Sequence, residues 1–394
     1  MKYSRFTFSY SIFKYTIIAL VVGITSCNSK VNSNNTPTYP KDGLVTLDKD
    51  RSKKLLIETN TNEPVPAAYL LGDWITKLKG KKVAIVGNQT SVVKTSDTVV
   101  SKEWNTKDML RYEHLVDTLI AHGIDIKRVF APEHGFRGTA DAGTTIRDGI
   151  DAETGIPIIS LYGKNKKPLQ EQLEDVDVVL FDIQDVGARF YTYISTLHYV
   201  MEACAEYNRK LIVLDRPNPN GHYIDGPILE EQHQSFVGMH PVPVVHGMTI
   251  GEYALMINGE QWLDKNLQTD LEVIKCYNYT HDSSYSIPIQ PSPNLPNDQA
   301  INLYPSLCFF EGTDVSVGRG TEMQFQVYGS PSLVKYTDFA FTPTPNVGAK
   351  RPLFNGKKCY GVDLREYKKL DHLELEFLVD AFAKAPFKQN FFNS

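Results

Sequence analysis

The chain has 394 residues, with 41 Lys and Arg against 46 Asp and Glu, a net charge of −5, and it is 42% hydrophobic and 11% aromatic. This is the composition of an ordinary globular protein, and its mild acidity argues against a nucleic-acid binder that works by neutralising phosphates. Five cysteines are too few for a disulfide scaffold, and the length suggests two or three domains.

Residues 1–26 read as an address rather than as structure. Lys2, Arg5 and Lys14 precede the uncharged residues 15–24, too short a stretch to span a bilayer, and Gly23-Ile-Thr-Ser-Cys27 follows. That ending resembles a bacterial lipobox, with Cys27 as the lipidated residue. The alternatives are an ordinary secretory signal with a chance cysteine, or a short anchor. Residues 27–64 form a polar tether and lead-in. No acidic residue falls in 28–33, and the expectation is a membrane-anchored lipoprotein of the cell envelope, on the periplasmic side. Cys204, Cys276, Cys308 and Cys359 form no C-x-x-C pair, so each is expected to pack as a small hydrophobe.

Short apolar runs then alternate with polar clusters. Residues 82–87 lead to Asn88-Gln-Thr-Ser91, and 127–131 to Pro132-Glu133-His134-Gly135. Residues 156–159 lead to Ser160-Leu-Tyr162, 176–181 to Asp182-Ile-Gln184-Asp185, and 210–214 to Asp215-Arg216-Pro-Asn218. Continuous apolarity marks strands buried on both faces, as in a parallel sheet. Residues 112–122 and 193–207 are spaced as helices. The spacing predicts an α/β, Rossmann-like doubly wound parallel sheet over 65–245, with the polar clusters on the rim where such sheets bind ligands. Beyond it, 246–394 is expected to be a smaller α+β domain. There Thr249-Ile-Gly-Glu252 is a capping box that opens a helix, which gives Glu252 a structural role. Residues 271–277 read as a strand, 292–297 as a Pro-fixed loop, 300–310 as helical in part, and 312–321 as a loop containing Gly318-Arg319-Gly320.

The chain has no G-x-S-x-G elbow, H-E-x-x-H, Walker loop or G-x-G-x-x-G fingerprint. Ser91-Val-Val-Lys94 lacks the partner motifs of penicillin-recognising enzymes. Neither a metal nor a cofactor is expected. What remains is carboxylate chemistry. Glu133, at a strand end beside Gly135 and Gly138, suits a general acid; Asp182 and Asp185 can orient it or supply a second carboxylate, with capping as the alternative for Asp182 and Asp215. Arg137, Arg189, Arg216 and Arg319 suit an anionic substrate or, singly, buried ion pairs. Tyr191 and Tyr193 suit sugar stacking or core packing, and His246 ends another short run.

At these residues the sequence resembles the bacterial exo-β-N-acetylmuramidases, a family related to peptidoglycan recycling. The resemblance is carried by Gly87-Asn-Gln-Thr-Ser91, residues 130–138, residues 181–193, Leu214-Asp-Arg-Pro-Asn-Pro-Asn-Gly221, residues 246–252, Ser292-Pro-Asn294 and Ser316-Val-Gly-Arg-Gly-Thr321. It implies a Rossmann-like domain plus a smaller one, with a cleft between them that removes N-acetylmuramic acid (MurNAc) from the non-reducing end of peptidoglycan fragments. It places the catalytic glutamate on Glu133 and offers the arginines the lactyl carboxylate of MurNAc. Asp182 and Tyr191 complete the catalytic candidates. The substrate-binding candidates are Asn88, Gln89, His134, Arg137, Gln184, Asp185, Arg189, Tyr193, Arg216, Asn218, His246, Asn294 and Arg319. The expected partners are MurNAc-terminated saccharides and the membrane through the lipid anchor. A non-catalytic lipoprotein that binds cell-wall fragments is the competing class. Two places depart from the family pattern: Gln324-Phe325 stands where Pro-Phe is expected, and the chain closes at Ser394 where a further helical segment is expected.

Overall fold

The computed structural model describes residues 62–94, 112–133, 135–137 and 148–393. In chain order these give a one-turn helix α1 (Leu71–Trp74), strands β1 (Lys82–Gly87), β2 (Val92–Lys94) and β3 (Tyr112–His114), helix α2 (Leu115–Ala121), and strands β4 (Asp125–Ala131), β5 (Gly149–Ile150), β6 (Pro157–Ser160) and β7 (Val178–Asp182). Helix α3 (Tyr193–Glu206), β8 (Lys210–Leu214), α4 (Ile250–Gly259), β9 (Leu271–Ile274) and α5 (Asp298–Leu307) follow. The chain then forms β10 (Val327–Ser330), β11 (Ala340–Phe341), β12 (Cys359–Asp363) and α6 (Glu376–Lys384).

The large sheet runs β5-β6-β4-β1-β7-β8-β9, parallel throughout except at the edge strand β5. Numbered in chain order, its parallel strands lie 3-2-1-4-5-6, the doubly wound order, with the topological switch between β1 and β7. The apolar runs explain why. Val83, Ile85, Val178, Leu180, Ile212 and Leu214 point to one face, against Trp74, Leu115 and Leu119 of α1 and α2. Ala84, Val86, Val179, Phe181, Leu211 and Val213 point to the other, beneath α3, α4 and α5. Helix α3 shows that face Tyr193, Ile194, Leu197, Val200, Met201 and Cys204, the spacing of one buried helical stripe.

Because β9 pairs with β8 and α4 packs on both, the α/β layer continues past residue 245. The segment 112–122 divides: residues 112–114 pair antiparallel with 92–94, and the helix starts only at Leu115. The antiparallel sheet β10-β12-β11 and α6 form the smaller C-terminal layer, and Tyr328, Leu364 and Phe377 join the same core as α3 and α5.

The capping box at Thr249 is formed, and Asp215 extends it by accepting from Gly251 N at 2.8 Å and from Thr249 Oγ1 at 2.9 Å. Pro305 sits inside α5 and cannot donate to the carbonyl of Ile301; Asn220 Nδ2 donates there instead, at 3.1 Å. The Asp215–Gly221 motif therefore serves the fold at Asp215 and Asn220.

Candidate active site

The cleft lies beyond the carboxyl ends of the parallel strands. It is lined by Glu133 from the end of β4, the turn Phe190-Tyr191-Thr192 with Tyr193 at the start of α3, Ser292, Asn294 and Leu295 of the proline loop, Tyr304 of α5, and Arg319 and Phe325. Glu133 is held by hydroxyls. Thr192 Oγ1 donates to its Oε2 at 3.0 Å, and Tyr162, at the end of β6, hydrogen-bonds the same carboxyl. Burial and this neighbouring carboxylate raise the Tyr162 hydroxyl to about 12. Thr192 occupies the N-cap position of α3 yet makes no capping bond with its side chain; its hydroxyl goes to Glu133 instead.

Four further candidates meet at this cleft. Asn294 Nδ2 donates to Gly348 O at 2.7 Å, which leaves Oδ1 as the acceptor of a buried amide. Tyr191 and Tyr193 sit edge to face with centroids 4.8 Å apart, but they are only 7% and 1% exposed. Both hydroxyls donate to the carbonyl of Pro291, at 2.7 and 3.2 Å, and Gln89 Nε2 reaches the same oxygen at 3.2 Å. The pair is thus a buried wall that locks the proline loop, not an open stacking face. Burial holds the Tyr191 hydroxyl well above the ordinary tyrosine range. Arg319 is the fourth. Gly318 and Gly320 flank it at φ of +78° and +81°, where a Cβ would lie 2.7 Å from Met323 O and Thr344 O respectively, so the tight turn needs both glycines.

The other three arginines are committed elsewhere. Arg216 grips Asp182 through two contacts of 2.6 and 2.8 Å, both residues fully buried. Arg137 binds Asp151 at 2.7 and 2.8 Å, with Asp117 and Glu153 close by, and that guanidinium lowers Asp151 to about 2. Arg189 donates to the carbonyls of Pro227 and Val242. Asp182 and Arg216 thus serve each other, Arg137 serves Asp151 and Arg189 ties two loop carbonyls, and none of the four lines the cleft.

Several rim candidates serve the loops. Asn88 Oδ1 accepts from Thr90 N and Oγ1, Gln184 Nε2 donates to the carbonyls of Asp185 and Pro217, and Asn218 accepts from Asn220 N while donating to Met248 O. Asp185 and His246 form a buried pair, 3.7 Å apart; Met248 N donates to His246 Nδ1, so the ring proton sits on Nε2, facing Asp185. Burial raises Asp185 to about 7 and lowers His246 to about 3. His134 and Cys27 lie outside the described residues. Sequence reasoning did not single out Tyr162, Thr192, Phe190, Ser292, Tyr304 or Phe325. Tyr162 carried a signal as part of a strand-end cluster, and Phe190, Thr192 and Ser292 lay inside stretches that carry the family resemblance.

The chain matches the family models "Exo-beta-N-acetylmuramidase NamZ, N-terminal" over residues 83–299 and "Exo-beta-N-acetylmuramidase NamZ, C-terminal" over 302–393. It is 40% identical over 311 residues to the peptidoglycan beta-N-acetylmuramidase NamZ of Bacillus subtilis (strain 168), covering 75% of this chain and 70% of that protein. Among solved structures, two DUF1343 family proteins of Bacteroides fragilis NCTC 9343 superpose on it. One has a TM-score of 0.72 at 44% identity over 84% of this chain and 86% of that one; the other has 0.65 at 30% identity over 81% and 82%. The fold, the cleft and these matches together assign the chain to the exo-β-N-acetylmuramidase NamZ family.

Proposed function

We infer that this protein is an exo-acting glycoside hydrolase that releases MurNAc from the non-reducing end of peptidoglycan fragments, with Glu133 as its general acid. The observation that carries the role of Glu133 is its placement: a carboxyl at a parallel-strand terminus, facing a cleft and oriented by the hydroxyls of Thr192 and Tyr162. In this reading the protonated carboxyl gives its proton to the glycosidic oxygen as the C1–O bond breaks, the leaving sugar departs as an alcohol, and water supplies the hydroxyl that C1 gains while its other proton restores the acid. Arg319 receives the lactyl carboxylate, the feature that separates MurNAc from N-acetylglucosamine (GlcNAc). Asn294 Oδ1, a buried acceptor in the cleft wall, suits an N–H or O–H of the sugar. The test is to incubate the protein with MurNAc-β-1,4-GlcNAc and follow free MurNAc by mass spectrometry. Release supports the reading; binding without release favours the cell-wall-fragment carrier.

The same reading places the protein in the cell envelope, tethered through an acylated Cys27 on the periplasmic side, on the strength of the basic start, the short apolar stretch and the small residues before the cysteine. Among the described residues no helix is long and apolar enough to cross a membrane. Fatty-acid labelling of wild type beside Cys27→Ser tests it: label lost with the cysteine supports the anchor, and label kept in the variant refutes it.

A further inference from the structure

Arg319 differs from the other candidate arginines in lining the cleft itself, with Glu311 as its acidic partner. Its Nε lies 2.6 Å from Oε1 of Glu311, and its guanidinium carbon lies 5.2 Å from the centre of the Phe325 ring. Glu311 belongs to the 3-10 turn Cys308–Gly312 that continues α5, so its backbone is set by the helix that also carries Tyr304 into the cleft. The second oxygen of Glu311 is occupied as well, since the Cys308 thiol donates to Oε2 at 3.5 Å. The two side chains are 28% and 36% exposed, so the pair is only partly hidden from solvent.

A guanidinium binds a carboxylate best when its plane is fixed beforehand, because the two parallel N–H donors must meet two oxygens at once. Phe325 supports one face of the Arg319 group, and Glu311 holds it from the side by an ion pair whose oxygen lies close to the inner nitrogen but off the line of its N–H. We propose that Glu311 is a positioning residue, one that fixes the plane of Arg319 so that its remaining N–H donors meet a sugar carboxylate. This rests on the reading of Arg319 as the lactyl-carboxylate receptor. A carboxylate so close to an anion receptor has an opposite possible effect, competition with the ligand, and the two effects differ in sign.

The experiment measures dissociation constants of MurNAc and GlcNAc for the purified protein and its Glu311→Ala and Glu311→Gln variants, with a thermal melt of each. Positioning predicts that Glu311→Ala weakens MurNAc about tenfold or more and leaves GlcNAc unchanged. Glu311→Gln, which keeps an oxygen beside Nε, should recover part of that loss; it also serves as the test protein if the alanine variant melts early. Unchanged or tighter MurNAc binding in Glu311→Ala, or tighter binding in Glu311→Gln, overturns the proposal, the tighter result meaning that Glu311 competes with the ligand. Equal affinity of wild type for MurNAc and GlcNAc also overturns it. Turnover is scored separately: a wild type that prefers MurNAc but does not cleave the disaccharide defeats the hydrolase reading, while the positioning role is still judged on the binding ratios.

Discussion

Thr192 Oγ1 lies 3.0 Å from Glu133 Oε2, and this bond ties the start of α3 to the end of β4. An N-cap hydroxyl ordinarily satisfies its own helix; here it orients a carboxyl across the switch-point side of the sheet. If that orientation matters for proton transfer, Thr192→Val and Tyr162→Phe should each lower kcat on MurNAc-GlcNAc about tenfold with little change in KM, since geometry at the reacting group acts mainly in the transition state. Steady-state kinetics with both variants decides it, and kcat at the wild-type level in both would remove the hydroxyls from the mechanism.

The Asp182–Arg216 pair makes a different prediction. Both groups are buried and bonded to each other. Removing one partner strands the other, so Asp182→Asn should cost about 3–5 kcal/mol in urea unfolding. An apolar double replacement, Asp182→Leu with Arg216→Met, should recover much of that. A small loss in the single variant, with activity abolished, would return Asp182 to the catalytic candidates.

Asp185 predicts a pH dependence. Its folded-state value is raised to about 7, chiefly by burial, above that of an unfolded aspartate. Between roughly pH 4 and 7 the native state therefore holds a proton that the unfolded state has lost, and stability falls as pH rises through that window. Asn in its place is neutral at every pH and keeps the acceptor for Gly187 N, which Asp185 Oδ2 now supplies at 2.7 Å. Asp185→Asn should match wild type near pH 4 and exceed it by on the order of 2–4 kcal/mol above pH 7. The difference cancels the acid sensitivity that His246 gives both proteins, since a histidine lowered to about 3 by burial destabilises the fold as pH falls below its ordinary value. A gap that is constant with pH would contradict the account.

Much of this architecture was legible in the sequence, for identifiable reasons. Strands buried on both faces must be apolar throughout, so β1, β7 and β8 declare themselves, and Thr249 announces its helix through a local bond to Glu252. Residues 112–114 did not: their strand exists because 92–94 lies alongside, and no local pattern encodes a partner that far away in the chain. Likewise 271–277 reads as a strand, which the structure forms over 271–274, but its place beside β8 is a long-range pairing. Glu133 was legible because strand ends in a parallel sheet converge on one rim. The arginines were not sorted in advance, since Arg137, Arg216 and Arg319 look alike until Asp151, Asp182 and Glu311 are seen beside them. Phe190, Tyr304 and Phe325 were missed because an aromatic that lines a cleft has the same composition signal as one that fills a core.

The general-acid role of Glu133 is tested by Glu133→Gln, which preserves the shape of the side chain and removes its transferable proton. Release of MurNAc from MurNAc-β-1,4-GlcNAc should fall by about two to four orders of magnitude in kcat, with thermal stability and MurNAc affinity near wild type. Equal rates in the two proteins would contradict the assignment of Glu133 as the general acid.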